Sequence, residues 1–166
     1  MAASVALTYE TKLTVIETLG VNVPDVDVAN ARIVHNAFNT NLSLNGTSSP
    51  PVTKVVATQK ALAAGVGTLD LTALVGTNGA VVDLSTLKVQ AVKFRNPSTN
   101  ANAITVTFGA ANPYLLGGAA WKFILEPGME IVVYGNDKTP DVDSTHKNID
   151  LAGTLVQALD VVIVAG

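Results

Sequence analysis

The chain has 166 residues, which suits one domain with its own core and leaves little room for two. Charged residues make up only 14% of it, against roughly 25% in an ordinary soluble domain, so much of the surface must be Thr, Asn, Ser, Ala and Gly or be hidden against other chains. Ten basic residues against 13 acidic ones, with a net charge of −3 and no basic run, argue against direct contact with nucleic acid, because phosphate neutralisation needs clustered Lys and Arg.

There is no cysteine, which excludes disulfides and thiolate metal sites. The opening MAASVALTYETK lacks the basic-then-apolar order of a secretory signal. No stretch reaches the roughly 18 apolar residues of a membrane span. The expectation is a soluble chain made in a cytoplasm.

In chain order, Val5, Leu7, Tyr9, Leu13 and Val15 alternate with polar positions that include Thr8, Glu10, Lys12 and Thr14, which predicts a long amphipathic strand or an extended arm. Residues 20–30, with Pro24, Asp25 and Asp27, read as a loop. From Ile33 to Leu44 the apolar spacing fits a helix or a strand; the Asn and Thr content disfavours helix, so a strand is expected. The turn formers of residues 45–51, from Asn45 to Pro51, make the clearest break. That break divides an N-terminal arm and connecting loop, residues 1–50, from a compact body, residues 51–166.

Within the body, Val52 to Ala61 and Thr68 to Leu71 read as strands, and Gly76 to Gly79 as a turn. The stretch from Lys88 to Asn136 predicts two successive β-hairpins. In the first, Gln90, Val92 and Phe94 share one face and Ile104, Val106 and Phe108 another, with a turn from Asn96 to Asn100 between them. In the second, Trp121, Phe123 and Leu125 lead through Pro127-Gly128, which suits a type II turn, to Ile131 and Val133. A polar loop from Asn136 to Asn148 and a β-branched final strand from Leu155 to Ala165 complete the chain. Some eight short strands without a convincing helix predict an all-β fold, an antiparallel β-sandwich of jelly-roll type with an extended N-terminal arm.

Chemistry is sparsely signalled. His35 and His146 stand far apart without a nucleophile elbow; His35 reads as a structural histidine and His146 as an exposed loop residue. Gly65-x-Gly67 lacks the third glycine and the lysine of phosphate-binding loops and reads as a turn. Asp25/Asp27 and Asp137/Asp141/Asp143 place carboxylates at loop positions, without the glycine and terminal Glu of a calcium loop. Asn41-Leu42-Ser43 and Asn45-Gly46-Thr47 match glycosylation acceptors but lack a secretory context. No catalytic, metal or cofactor-binding residue is predicted, and no enzyme.

One resemblance goes further. Leu69-Asp70-Leu71 after a glycine pair, then Asn96, Gly109, Asn112, the Leu125/Pro127-Gly128 turn and the terminal Gly166 resemble the pattern of a type of small virion protein of tailed bacteriophages, over roughly residues 52–166. The resemblance implies a non-enzymatic structural role: a capsid decoration or head-stabilising protein, assembled in the host cytoplasm into the virion. It implies an oligomer that contacts the major capsid protein or other virion subunits, and the low charge with apolar strands at both ends of the chain favours a homotrimer. Val5, Leu7, Tyr9, Leu13 and Val15 are the candidate inter-subunit contacts. The alternative is a carbohydrate- or receptor-binding module, for which Tyr114 and Trp121 offer the one nearby aromatic pair.

Overall fold

The computed structural model describes residues 5–12, 14–18, 32–37 and 39–166. Every regular element among them is a strand. The N-terminal segment carries β1 (Ala6–Thr11), β2 (Val15–Thr18), β3 (Arg32–His35) and β4 (Thr40–Asn45). The body carries β5 (Lys54–Ala61), β6 (Val66–Asp70), the short pair β7 (Leu74–Val75) and β8 (Val81–Val82), then β9 (Val89–Arg95), β10 (Ile104–Phe108), β11 (Lys122–Leu125), β12 (Glu130–Tyr134), β13 (Asn148–Ala152) and β14 (Ala158–Ala165).

Two four-stranded sheets form the body, one in the order β12-β9-β14-β5 and the other β11-β10-β13-β6, with every neighbouring pair antiparallel. Alternation assigns the faces. Leu159, Val161 and Ile163 of β14 point inward with Phe94 of β9, and from the other sheet come Ile104, Val106, Ile149 and Leu151, all in one apolar core. The packing is therefore sandwich-like. Each such aliphatic or aromatic side chain, fully buried, contributes about 1.5–3 kcal/mol.

The strand predictions hold for most of the body, but the pairings differ. β9 and β10 are not a hairpin: β9 lies between β12 and β14 in one sheet, and β10 between β11 and β13 in the other. β11 and β12 likewise belong to opposite sheets. Turn residues mark a reversal in either case. What distinguishes a hairpin from a crossing is whether the two apolar faces must meet across the core, and these must. Pro127-Gly128 does adopt the expected type II geometry, with Met129 N donating to Glu126 O (2.9 Å) and Gly128 at φ 88°, but at a corner between sheets.

Local departures have physical causes. Val89, not Gln90, enters the core, because the β9–β14 register jumps from Val164↔Ala91 to Ala165↔Val89 and leaves Gln90 as the extra residue of a bulge. Gln90 is nonetheless buried and donates to the carbonyls of Pro50 and Pro51. The final strand begins at Ala158, and Leu155 and Val156 belong to the turn before it. At the N-terminus the expected single strand is two, β1 and β2, and residues 33–44 likewise divide into β3 and β4.

Asn96 fastens the two crossings. Its side chain is buried, and its Nδ2 donates to Leu125 O (2.8 Å) and Asn102 O (3.1 Å) while Oδ1 accepts from Asn100 Nδ2 (2.6 Å). Its backbone closes the Pro127-Gly128 corner, N–H to Met129 O (2.9 Å) and C=O from Gly128 N (2.8 Å). Asn96→Ala leaves carbonyls without their donor and should cost about 2–4 kcal/mol. Urea unfolding of the variant checks this; a loss below about 1 kcal/mol would show that solvent replaces the amide.

Candidate functional site

An apolar surface with a cleft in it lies where the N-terminal ribbon meets the body. β1 pairs with β4 in register, so Leu7 faces Leu44 and Tyr9 faces Leu42 across the ribbon. Val5, Leu7, Leu42 and Leu44 pack against Val52, Ala91 and Val164 on the outer face of the β12-β9-β14-β5 sheet. Tyr9 stacks on Tyr134 with ring centroids 4.4 Å apart and planes 13° from parallel. Beside this contact lies a cleft of about 240 Å³ lined by Leu7, Tyr9, Ala91, Lys93, Val132 and Val162, among others. Burial pushes the Tyr134 hydroxyl upward, and the neighbouring Asp137 carboxylate adds to it.

The expected contact residues thus separate. Val5, Leu7 and Tyr9 are half-buried against their own chain. The first strand finds a sheet partner within the molecule rather than lacking one. Farther out, β2 pairs with β3, and Val15 (48% exposed), Ile16 (52%) and Val34 (51%) remain open to solvent, Ile16 directly opposite Val34. Leu13, and the loop acids Asp25 and Asp27, lie outside the described residues.

The remaining chemical candidates are satisfied locally. Asp141 pairs with Lys88 (2.9 Å), Asp137 with Lys138 (3.0 Å), and Asp143 accepts from Thr145 N and Oγ1 and from His146 N (2.6–2.8 Å). Those bonds, Thr145 first, hold the Asp143 carboxyl well below the usual range. His146 Nδ1 stands 3.1 Å from Asp143 Oδ2 in an exposed loop. The backbone of His35 pairs with Val15. Among the described residues no group of three His, Cys, Asp or Glu side chains converges on a point where a metal could sit. No helix among them is long and apolar enough to cross a membrane. Gly65 lies inside a tight reversal in which Ala63 and Val66 exchange backbone bonds, and Gly67 follows in β6.

Tyr114 and Trp121 form no exposed platform. Both are buried: the Tyr114 hydroxyl donates to Pro140 O (2.9 Å) and accepts from Val89 N (3.1 Å), and Trp121 Nε1 donates to Tyr114 O (3.0 Å). What sequence reading missed is the turn carrying Leu155 (79% exposed, φ 55°) and Val156 (88%), beside exposed Val66. Buried Gln157 ties the turn to the body: its Oε1 accepts from Thr154 N (2.7 Å) and its Nε2 donates to Asn102 O (2.7 Å). In the sequence, Leu155 and Val156 look like core of the strand that follows.

Comparison with protein-family models, curated proteins and solved structures finds no match. Of the residues in the pattern from Leu69 to Gly166, Leu69 and Leu125 are core residues of β6 and β11, and others stand at strand ends and turns. Asp70 accepts from Thr72 N and Oγ1 and from Lys147 Nζ (2.7 Å). Gly109 passes so close to Asn148 that an added Cβ would stand 2.6 Å from the Asn148 Cβ. Asn112, at φ 49°, gives its carbonyl to Lys147 N and Asn148 N.

Two outcomes follow. Tyr9→Ala removes a stack worth about 0.5–1.5 kcal/mol, so β1 amides should exchange faster while β9 and β14 amides keep their protection. Uniform loss of protection would mean that ribbon and body unfold as one unit. For Asp70, burial works to raise the carboxyl, and the bonds from Lys147 and Thr72 outweigh it, so the folded value lies below the ordinary 3.8. A depressed carboxyl stabilises above its unfolded value and loses that stabilisation as pH falls through the folded one. Asp70→Asn should therefore cost up to about 1 kcal/mol at neutral pH and converge with the parent protein well below pH 3.8; thermal melts across that range check it.

Proposed function

We propose that the chain is a non-enzymatic virion structural protein of a tailed phage, which decorates or cements a capsid through subunit contacts. Residues 51–166 would be a β-sandwich of jelly-roll type, and residues 1–50 an arm. Strand order supports the fold assignment. Numbering the eight main body strands from β5, one sheet runs first, eighth, third, sixth and the other second, seventh, fourth, fifth. This is the order produced when a folded-over antiparallel ribbon wraps into two Greek keys.

The observation that carries the functional reading is the outer half of the ribbon. Val15, Ile16 and Val34 are exposed on a two-stranded element whose inner half already grips the body. A ribbon anchored at one end and apolar at the other suits burial against a neighbouring subunit, where each Å² of apolar area contributes about 25 cal/mol before ordering costs. Low charge across the chain fits the same role. The partners would be further copies of this chain, with a trimer favoured, and the major capsid protein or other virion subunits.

Val15, Ile16 and Val34 changed together to Ser should leave the circular dichroism unchanged, because these side chains lie outside the core. The parent should scatter light as an oligomer, about three times the monomer mass, and the variant should dissociate or lose capsid occupancy at least about tenfold, the equivalent of 1.4 kcal/mol. A parent that is monomeric and does not bind capsids, or a variant that assembles and binds unchanged, would remove the basis of the proposal.

A further inference from the structure

The sequence contains two Asn-Gly steps, Asn45–Gly46 at the root of the ribbon and Asn78–Gly79 in the turn between β7 and β8. At such a step the glycine nitrogen can attack the side-chain carbonyl carbon of asparagine, since no Cβ on the glycine obstructs the approach. The two surroundings differ in the groups that matter for that attack.

At Asn78–Gly79 the nucleophile is occupied: Gly79 N–H donates to Gly76 O (2.9 Å), and Asn78 Oδ1 accepts a single bond, from Ala80 N (3.1 Å). At Asn45–Gly46 no acceptor among the described residues takes the Gly46 N–H. There Asn45 Oδ1 receives two donors, Thr47 N (2.8 Å) and Thr47 Oγ1 (2.7 Å). Both point at the oxygen that becomes negative when the carbonyl is attacked, which is where donors lower an acyl-transfer barrier. The step is solvent-exposed, so water is present to complete the reaction.

We infer that Asn45–Gly46 is a self-modification site, at which Asn45 is converted through a cyclic imide to aspartate and isoaspartate ahead of Asn78. A bond forms between Gly46 N and Asn45 Cγ; the side-chain nitrogen leaves as ammonia, taking up the proton that Gly46 N gives up. Water then adds to one of the two imide carbonyls and breaks its C–N bond, giving aspartate or isoaspartate. No oxidant, reductant or metal enters the balance.

The position makes the change consequential. Asn45 O accepts from Ser48 N (3.1 Å) and Val52 N (2.9 Å), Asn45 N donates to Ser48 Oγ (2.8 Å), and the residue pairs with Ala6. Isoaspartate routes the main chain through the side chain and lengthens it at the point where ribbon joins body. The register of β4 with β1 is then broken at its root, and the grip of Leu44 on the sheet face with it.

The test is ageing of the full-length protein in mildly alkaline buffer, followed by peptide mass mapping and enzymatic labelling of isoaspartate. Conversion at Asn45 should outpace Asn78 several-fold. Gly46→Ala should slow it by about tenfold or more, and the fold tolerates this change, because a Cβ there would have only Val52 O near it, at 3.8 Å. Thr47→Val keeps the shape and the backbone donor but removes the hydroxyl, and should slow conversion several-fold with an unchanged melting temperature. Conversion at Asn78 equal to or faster than at Asn45 would overturn the inference. So would a Thr47→Val rate equal to or above that of the parent.

Discussion

The fold depends on closing the ends of two facing sheets, and Asn96 is where one end is closed. A chain that crosses from one sheet to the other leaves its strand ladder, and the backbone groups at the corner still need partners where they border the apolar core. One amide serves both crossings: it donates to Leu125 and Asn102, while its own peptide unit completes the Pro127-Gly128 corner. Asn100 extends the network to Ala158 O (2.7 Å) at the start of β14. At the other end the same task falls to Tyr114, Trp121 and Thr139, whose Oγ1 donates to Val89 O (2.9 Å). Each end therefore relies on buried polar side chains that leave little tolerance for substitution.

With the interior closed in this way, the distribution of the few charges becomes informative. The outer face of the β12-β9-β14-β5 sheet carries Ala91, Val164 and Tyr134 under the ribbon, and Val132 and Val162 beyond its edge. On it Lys93 holds Glu130 at 2.8 Å, which lowers the Glu130 carboxyl, and Asp160 accepts from Gln59 Nε2. The ribbon covers part of an apolar face and exposes an apolar part of its own. The same logic that places Leu7 and Leu44 against the sheet makes Ile16 and Val34 costly to leave in water. The structural-subunit proposal rests on that imbalance.

The residue pattern from Leu69 to Gly166 takes on a different meaning once its residues are located. Asp70, Asn96, Gly109, Asn112 and Gly128 occupy strand ends, turns and corners, where their bonds and close approaches shape the backbone. They describe how an antiparallel chain turns its corners between sheets. A likeness built on such residues speaks to architecture first and to function only through it.

Strand identity and facing were legible because they are local. Alternation over Ile104, Val106 and Phe108, or Val161 and Ile163, encodes which side chains leave water, and burial follows without knowledge of neighbours. Pro127-Gly128 likewise determined its own turn type, since ring closure and a missing Cβ act on two residues alone. Pairing was not legible. Backbone ladders are nearly blind to side-chain identity, so whether Asn96 to Asn100 made a hairpin or a crossing depended on which apolar faces had to meet, a decision taken over the whole core. The bulge at Gln90, the partner of β1 and the burial of Tyr114 were settled in the same way. So was the exposure of Leu155 and Val156, which have strand-like side chains but sit on a turn that Gln157 holds outward.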